Sequence, residues 1–252
     1  MKNIWIFTQL EVKKYFRQPL TIGFGVIFPI LWAMFNGSFY GNAPSSLFEG
    51  VGTIDFMFPA YVFMIILVAG LSSLPIVIAK NYEDKVILKY SFTPLKKHQY
   101  LLALYLGGFL LVMISTLTMF LINYWLFDLQ VPPIINLLAF LLVIFIVFCG
   151  IASLGIIIAS VIKGLQETLS IALLTYFSLL FLSGATVPLP VFPLAVRNFS
   201  ETYVPYTKVV KLLQNIWLNQ VESVRVNFVT TMLISGVMFF LGIKAFRWQR
   251  LD

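Results

Sequence analysis

Charge is missing from this sequence wherever membrane-depth chemistry would need it. Six stretches, Leu20–Tyr40, Phe56–Ala79, Leu101–Phe127, Ile134–Ile162, Leu169–Val187 and Val226–Ile243, contain no Asp, Glu, Lys, Arg or His. An intramembrane enzyme needs nucleophiles, acids or metal ligands gathered at that depth, and an ion-driven carrier needs ionisable groups there. The sequence argues against both, although sodium sites built from carbonyls and hydroxyls stay open. The single histidine, His98, stands beside Lys96 and Lys97 and reads as a solvated loop residue. The single cysteine, Cys149, lies in the fourth stretch. It excludes an internal disulfide or a cysteine metal site, and with no base nearby in sequence it reads as a small buried hydrophobe. No glycine is followed by Lys-Ser or Lys-Thr at the spacing that cradles a phosphate, so the chain carries no ATPase of its own. No repeat of 20–50 residues and no low-complexity tract appears.

What is present is apolar length. Of the 252 residues 60% are hydrophobic and 11% charged, which fits no soluble class. A helix needs about 20 apolar residues to cross a bilayer, and in lipid it must satisfy its own backbone. All six stretches meet or nearly meet that length, so the expected fold is all-α and polytopic, with six spans. The first 19 residues carry Lys2, Glu11, Lys13, Lys14 and Arg17 and do not read as a cleavable signal.

The cations then set an orientation. Thirteen of the 17 fall before the first stretch, in the second and fourth gaps, or after the sixth. The other four are Arg197, Lys208, Lys211 and Arg225. Lysine and arginine mark the cytoplasmic side, so both termini are expected inside. The net charge of +7 is then an orientation signal and a contact for anionic lipid, with no nucleic-acid partner implied.

Between the stretches three segments have character. Residues 1–19 read as an amphipathic helix along the inner leaflet, with Lys13, Lys14 and Arg17 on one arc and Val12, Tyr15 and Phe16 on another, turning at Pro19. Residues 81–94 read as a short helix capped by Asn81, carrying Glu83 and Asp84 in its first turn and stopped by Pro94. Residues 188–225 begin with Pro188, Pro190 and Pro193, then place Val209, Val210, Leu212, Leu213, Ile216 and Trp217 on one face. Two short helices dipping into the outer leaflet are expected there, with Lys208, Lys211, Tyr206 and Trp217 as anchors at the interface. A chain with such a protrusion and no energy source is either a passive pathway or the membrane half of a machine powered by another polypeptide.

These features, in this order, resemble the ABC-2 type permease family over essentially the whole chain. The basic helix ends Arg17, Gln18, Pro19 where the family shows Arg-Asn-Pro, and Pro29 follows within the first span. After the second span Glu83, Ile87, Thr93 and Pro94 match, while Lys85 and Val86 replace Gly-Thr and Tyr90 stands for a leucine. Late in the fifth span Ser183 and Gly184 precede Pro188 and Pro193; the family's following Asn-Pro survives only as Val204-Pro205. The resemblance implies one transmembrane domain over 1–252 in a dimer of identical or homologous permeases. These would rest on two ABC ATP-binding subunits that hold ATP and Mg, and this chain would bind no cofactor. It further implies that Glu83, Asp84, Ile87, Tyr90, Thr93 and Pro94 form the coupling helix. Lys13, Lys14, Arg17 and Pro19 would form the interface helix, and Ser183, Gly184, Pro188, Pro193, Lys208 and Lys211 the outer gate. The implied activity is export from a bacterial plasma membrane of a hydrophobic or amphipathic compound: a drug, an antimicrobial peptide or toxin, or a lipid-like molecule. Two alternatives stay open, an ATP-independent carrier and a permease for polysaccharide or teichoic acid.

Overall fold

The computed structural model describes residues 2–16, 19–45, 48, 50–92, 96–162, 164–220 and 224–247. Among them the regular structure is helical apart from one antiparallel bridge between Pro44 and Gly52. The helices are α1 (Lys2–Phe16), α2 (residues 19–40), α3 (Thr53–Glu83), α4 (Val86–Ser91), α5 (Lys97–Phe127), α6 (Ile134–Val161), α7 (Leu165–Leu182), α8 (Leu194–Tyr203), α9 (Tyr206–Trp217) and α10 (Val224–Ala245). Arg17, Thr93 and Pro94 lie outside the described residues.

Two of these helices widen just before a proline. Proline lacks a donor and crowds the carbonyl four residues back. In α2 the segment Gly23–Ile27 is a π-helix, and the Phe28 N–H reaches back five residues to the Gly23 carbonyl, immediately ahead of Pro29. In α3 the segment Val68–Ser73 does the same, with the Leu74 N–H bonded to the Ala69 carbonyl ahead of Pro75. The extra residue in each turn relieves the crowding without breaking the helix. The two widened segments also meet: a Cβ on Gly25 would lie 3.2 Å from Val68 Cγ1.

Helix α3 is apolar on every face and is accordingly the buried hub. It packs against α2, α5, α6, α7 and α9. Close approach to α6 depends on two glycines. A Cβ on Gly155 would stand 2.0 Å from the Gly70 carbonyl oxygen, and one on Gly70 would stand 2.6 Å from Ile151 Cγ2. Helix α10 lies on the other side of α6 through a reciprocal pair of the same kind. Gly150 faces Ser235, and Gly242 faces Ser153, with Cβ sites 2.8 Å and 2.7 Å from the opposing residue. Small residues of this kind let helix backbones come together where lipid supplies no hydrophobic drive.

Among the described residues five helices, α3, α5, α6, α7 and α10, are long and apolar enough to cross a membrane, where the sequence leads one to expect six. In the expected first span the apolar helix Gly25–Tyr40 has sixteen residues, and it continues the helical run of α2 that opens at residue 19. The boundaries move as well. Helix α7 runs four or five residues earlier than Leu169–Val187, because Gly164 is extended at its start and Gly184 takes φ +82° just past its end. Helix α3 starts at Thr53 and therefore takes in Asp55, which the sequence reading leaves in a loop.

Candidate functional site

The lysine-rich end of the bundle carries a corner. The sequence reading has Asn81 capping a helix over 82–93, and the structure corrects this. Lys80 to Glu83 contain no breaker, so α3 continues through them, and Asn81 is buried inside it, its amide donating to Tyr100 Oη at 3.2 Å. The chain turns at Asp84 and at Lys85, which takes φ +55°, and α4 spans only Val86–Ser91. Glu83 and Asp84 thus sit at the end of α3 rather than in the first turn of α4.

Aromatic side chains from five parts of the chain hold this corner. Tyr90 packs edge-on against Phe7 of α1, centroids 5.5 Å apart, and lies 5.8 Å from Tyr100 of α5. Phe246, just past α10, stacks on Tyr100 at 5.5 Å and lies 6.2 Å from Tyr82. The Tyr82 hydroxyl donates to the Arg247 carbonyl, and Lys97 Nζ lies 5.9 Å above the Phe246 ring. Ile87 is fully buried beneath the corner, so it anchors α4 and does not itself present a surface. Glu83, Asp84, Lys85, Lys89 and Phe92 are exposed. Of the α1 residues expected to matter, Lys13 is exposed and Lys14 half-buried, Pro19 opens α2, and α1 packs lengthwise on α5.

The opposite end is capped. The two short helices expected after the prolines are present as α8 and α9, preceded by a 3-10 turn at Leu189–Val191. Ser183 and Gly184 are buried where α7 ends, while Pro188 and Pro193 flank the turn. The anchoring role expected for Tyr206 and Trp217 is corrected. Both are buried, and Trp217 packs on Phe58, Phe140 and Phe120 with centroids 4.6, 5.1 and 6.3 Å away. The apolar face of α9 therefore points into the bundle. Gln214 seals it by donating to the Phe56 carbonyl of α3 at 3.2 Å, and Asn136 donates to the Ile216 carbonyl at 3.0 Å.

Lys211 is not a free cation either. Its Nζ lies 3.0 Å from Glu201 Oε1, which also accepts from Arg197 at 3.3 Å. Partial burial pushes the Glu201 carboxyl upward, but the hydrogen bonds and charges of Lys211 and Arg197 outweigh it and hold the group below its ordinary value. The three residues border a polar cavity of about 290 Å³ that Ser183, Gly184 and Pro188 also line. Lys208 is half-buried on the same helix as Lys211.

A second fastening at this end has no sequence signal. Asn42, in the loop before α3, accepts at Oδ1 from the Ile54 and Asp55 N–H groups, both at 3.1 Å, and donates to Asp55 Oδ2 at 3.1 Å. The other Asp55 oxygen accepts from the Gln130 N–H at 2.8 Å, so one buried carboxylate ties two loops to the head of α3. Among the described residues no group of His, Cys, Asp and Glu could hold a metal ion.

Comparison with known proteins agrees with this architecture. The family model for the ABC-2 type transporter matches residues 2–218. A protein of Cyanophora paradoxa named as a transport permease, ycf38, is 23% identical over 192 residues, a match that covers 75% of this chain and 63% of that relative's length.

Proposed function

This chain belongs to the ABC-2 type transporter family, and on that premise we propose that it is the permease subunit of an ATP-driven exporter. It is a multi-pass membrane transport component, and its own side chains perform no catalysis. In this reading the lysine-rich end is cytoplasmic, both termini lie there, and α2 completes six spans. The membrane is the bacterial plasma membrane. Two ABC ATP-binding subunits supply ATP and Mg, and a second permease, identical or homologous, completes the pathway.

The observation that carries this reading is the corner at 83–92. Its exposed residues, Glu83, Asp84, Lys85, Lys89 and Phe92, mix both charges with one large apolar group. Such a surface suits docking to another protein better than contact with lipid tails. Beneath it the aromatic mount ties α1, α5 and the chain after α10 to α3. A push on the corner therefore acts on a stiff body.

Helix α3 then transmits the push. Its 31 residues extend about 46 Å, longer than the hydrocarbon core. At its far end it is bonded to the cap through Phe56 and Gln214, and to two loops through Asp55. Nucleotide-driven closure of the ATP-binding subunits would move the corner, and the hub would carry that displacement to α8 and α9. Access to the pathway would switch from the cytoplasmic to the outer side. Thr93 and Pro94 would close the coupling segment, and Lys13, Lys14 and Arg17 would brace it against the partner and anionic lipid. The cargo is a hydrophobic or amphipathic compound of the drug, peptide or lipid-like kind.

The test uses the full chain reconstituted with its ATP-binding partner. Reversing the acidic pair, Glu83→Lys with Asp84→Lys, should leave the permease folded, since both side chains are exposed, yet abolish cargo-stimulated ATP hydrolysis. Unchanged coupling in that variant would remove the corner from the mechanism. ATP cleavage by the purified chain alone would remove the reading entirely.

A further inference from the structure

The polar cavity at the capped end has a charge left over. Arg197, Lys211 and Glu201 are the charged groups among the described residues that line it, two cations to one carboxylate. Glu201 meets both cations through the same oxygen, Oε1, and Arg197 uses only its Nε there. The two terminal nitrogens of the Arg197 fork and the other Lys211 protons have no partner among the described residues. Both side chains are more than a third exposed, so these donors are open to a ligand. The cavity thus carries a surplus of one positive charge.

The wall formed by α10 adds a neutral donor. Asn227 lines the cavity and is only 6% exposed, yet its amide has no hydrogen-bond partner among the described residues. The unpaired hydroxyls of Thr186 and Ser200 are sealed from any ligand, whereas the Asn227 amide keeps accessible surface. A buried amide left unpaired is costly and gains from a partner that a ligand brings. An arginine fork, an ammonium and an amide suit phosphate oxygens, and a single surplus charge is closed by a monoanion. The volume, about 290 Å³ against about 30 Å³ for one water, admits a phosphodiester.

The helices around the cavity indicate where that phosphodiester comes from. At about 100° per residue, Val196, Phe199 and Tyr203 fall on the side of α8 opposite Arg197 and Glu201. All three are exposed, and the rings of Phe199 and Tyr203 lie 5.4 Å apart. A helix with one charged face and one bare apolar face lies along a membrane interface, which sets the cavity at headgroup depth. In the last turns of α7, Phe177 and Phe181 are also exposed and stack at 6.4 Å, just ahead of Ser183 in the cavity wall.

We propose that this cavity binds the phosphodiester of an anionic phospholipid whose acyl chains lie along the bare faces of α8 and α7. Arg197 and Lys211 neutralise the phosphate, and Asn227 donates to it. These residues come from α8, α9 and α10, so the bound lipid fastens the cap to the last span. The proposal needs only a membrane around the chain, and its failure would leave the export reading standing.

The test titrates dioctanoylphosphatidylglycerol into the full chain purified in dodecyl maltoside and follows the melting temperature by tryptophan fluorescence. A ligand of the folded state raises that temperature, and the concentration dependence yields an apparent affinity. Dioctanoylphosphatidylcholine, whose own cation leaves the surplus charge in place, should bind about tenfold more weakly. Arg197→Gln should weaken phosphatidylglycerol binding about tenfold or more, the loss of charge-assisted hydrogen bonds. Asn227→Leu should weaken it about 5-fold, the loss of one neutral hydrogen bond, while the lipid-free variant melts no lower than the parent. Glu201→Gln, which raises the surplus to two charges, should tighten binding about 3-fold or more. Affinity unchanged in both Arg197→Gln and Asn227→Leu, equal binding of phosphatidylcholine, or weaker binding in Glu201→Gln would each overturn the proposal. Glycerophosphoglycerol, the same phosphodiester without chains, should bind about tenfold or more weakly. Equal affinity for it would make the occupant a soluble phosphate ester and overturn the assignment to lipid.

Discussion

The contact between α3 and α6 can be tested with three glycines that differ only in what surrounds them. Replacing each with alanine adds one methyl group to a helix. A Cβ on Gly155 would meet the Gly70 carbonyl oxygen at 2.0 Å and Pro75 Cγ at 2.9 Å. The nearest obstacle is backbone, which yields only if a whole helix shifts. On Gly25 the Cβ would meet Val68 Cγ1 at 3.2 Å, a side-chain atom that can give by a few tenths of an ångström. On Gly236 it would meet nothing within 4 Å. Overpacking costs about 1–3 kcal/mol, and Gly155 belongs at the top of that range. Alanine in a helix recovers about 1 kcal/mol over glycine at every site. Gly155→Ala should therefore lose about 2 kcal/mol, Gly25→Ala should fall near zero, and Gly236→Ala should gain up to about 1 kcal/mol. For a chain of this size 1 kcal/mol corresponds to about 2–4 °C in melting temperature. Thermal unfolding of the three purified proteins in one detergent, followed by tryptophan fluorescence, reads the order directly. Gly155→Ala melting at or above Gly236→Ala would refute the backbone contact.

Two further outcomes follow from the capped end. Trp217 is 4% exposed among phenylalanines while Trp125 is 78% exposed, so Trp217→Ala should cost about 3–5 kcal/mol and Trp125→Ala should change the melting temperature little; equal effects would return Trp217 to the surface. Glu201 has a lowered folded pKa, so the stability it contributes is present above its ordinary unfolded value and fades only as pH falls through the lower folded one. The basic partners are more than a third exposed, so the effect is small. Glu201→Gln should flatten the acid limb of a pH-melting curve, and a curve identical to the parent would show the pair to be inert.

The sequence made the apolar stretches legible because each is a local property, and the two helices after Pro188 were legible through the proline punctuation and the spacing of Val209, Val210, Leu212 and Leu213. The face of α9 was identified from its pattern, yet its direction was not. A tryptophan and a tyrosine near a span end look the same whether they meet headgroups or Phe58 and Phe63 of the hub. Asn81 illustrates the same limit. Beside two acids it matches a helix start, and only its bond to Tyr100, 19 residues on, reveals that the helix had not ended. Asp55 reads as a loop charge because its partners, Asn42 and Gln130, come from different gaps. The small residues at 70, 150, 155 and 242 carry no pattern that distinguishes a helix contact from a lipid-facing gap.

Those small residues have a consequence for how such a molecule can change shape. With Gly70 against Gly155 on one side, and Gly150 and Ser153 against Ser235 and Gly242 on the other, α3, α6 and α10 interlock as one body. Sliding any one of them by a single residue would drive side chains into main chain. A displacement of α3 must therefore carry α6 and α10 with it, and movement relative to that trio is left to the helices packed around it. The candidates are α2, jointed ahead of Pro29, and α7, which is mostly bare.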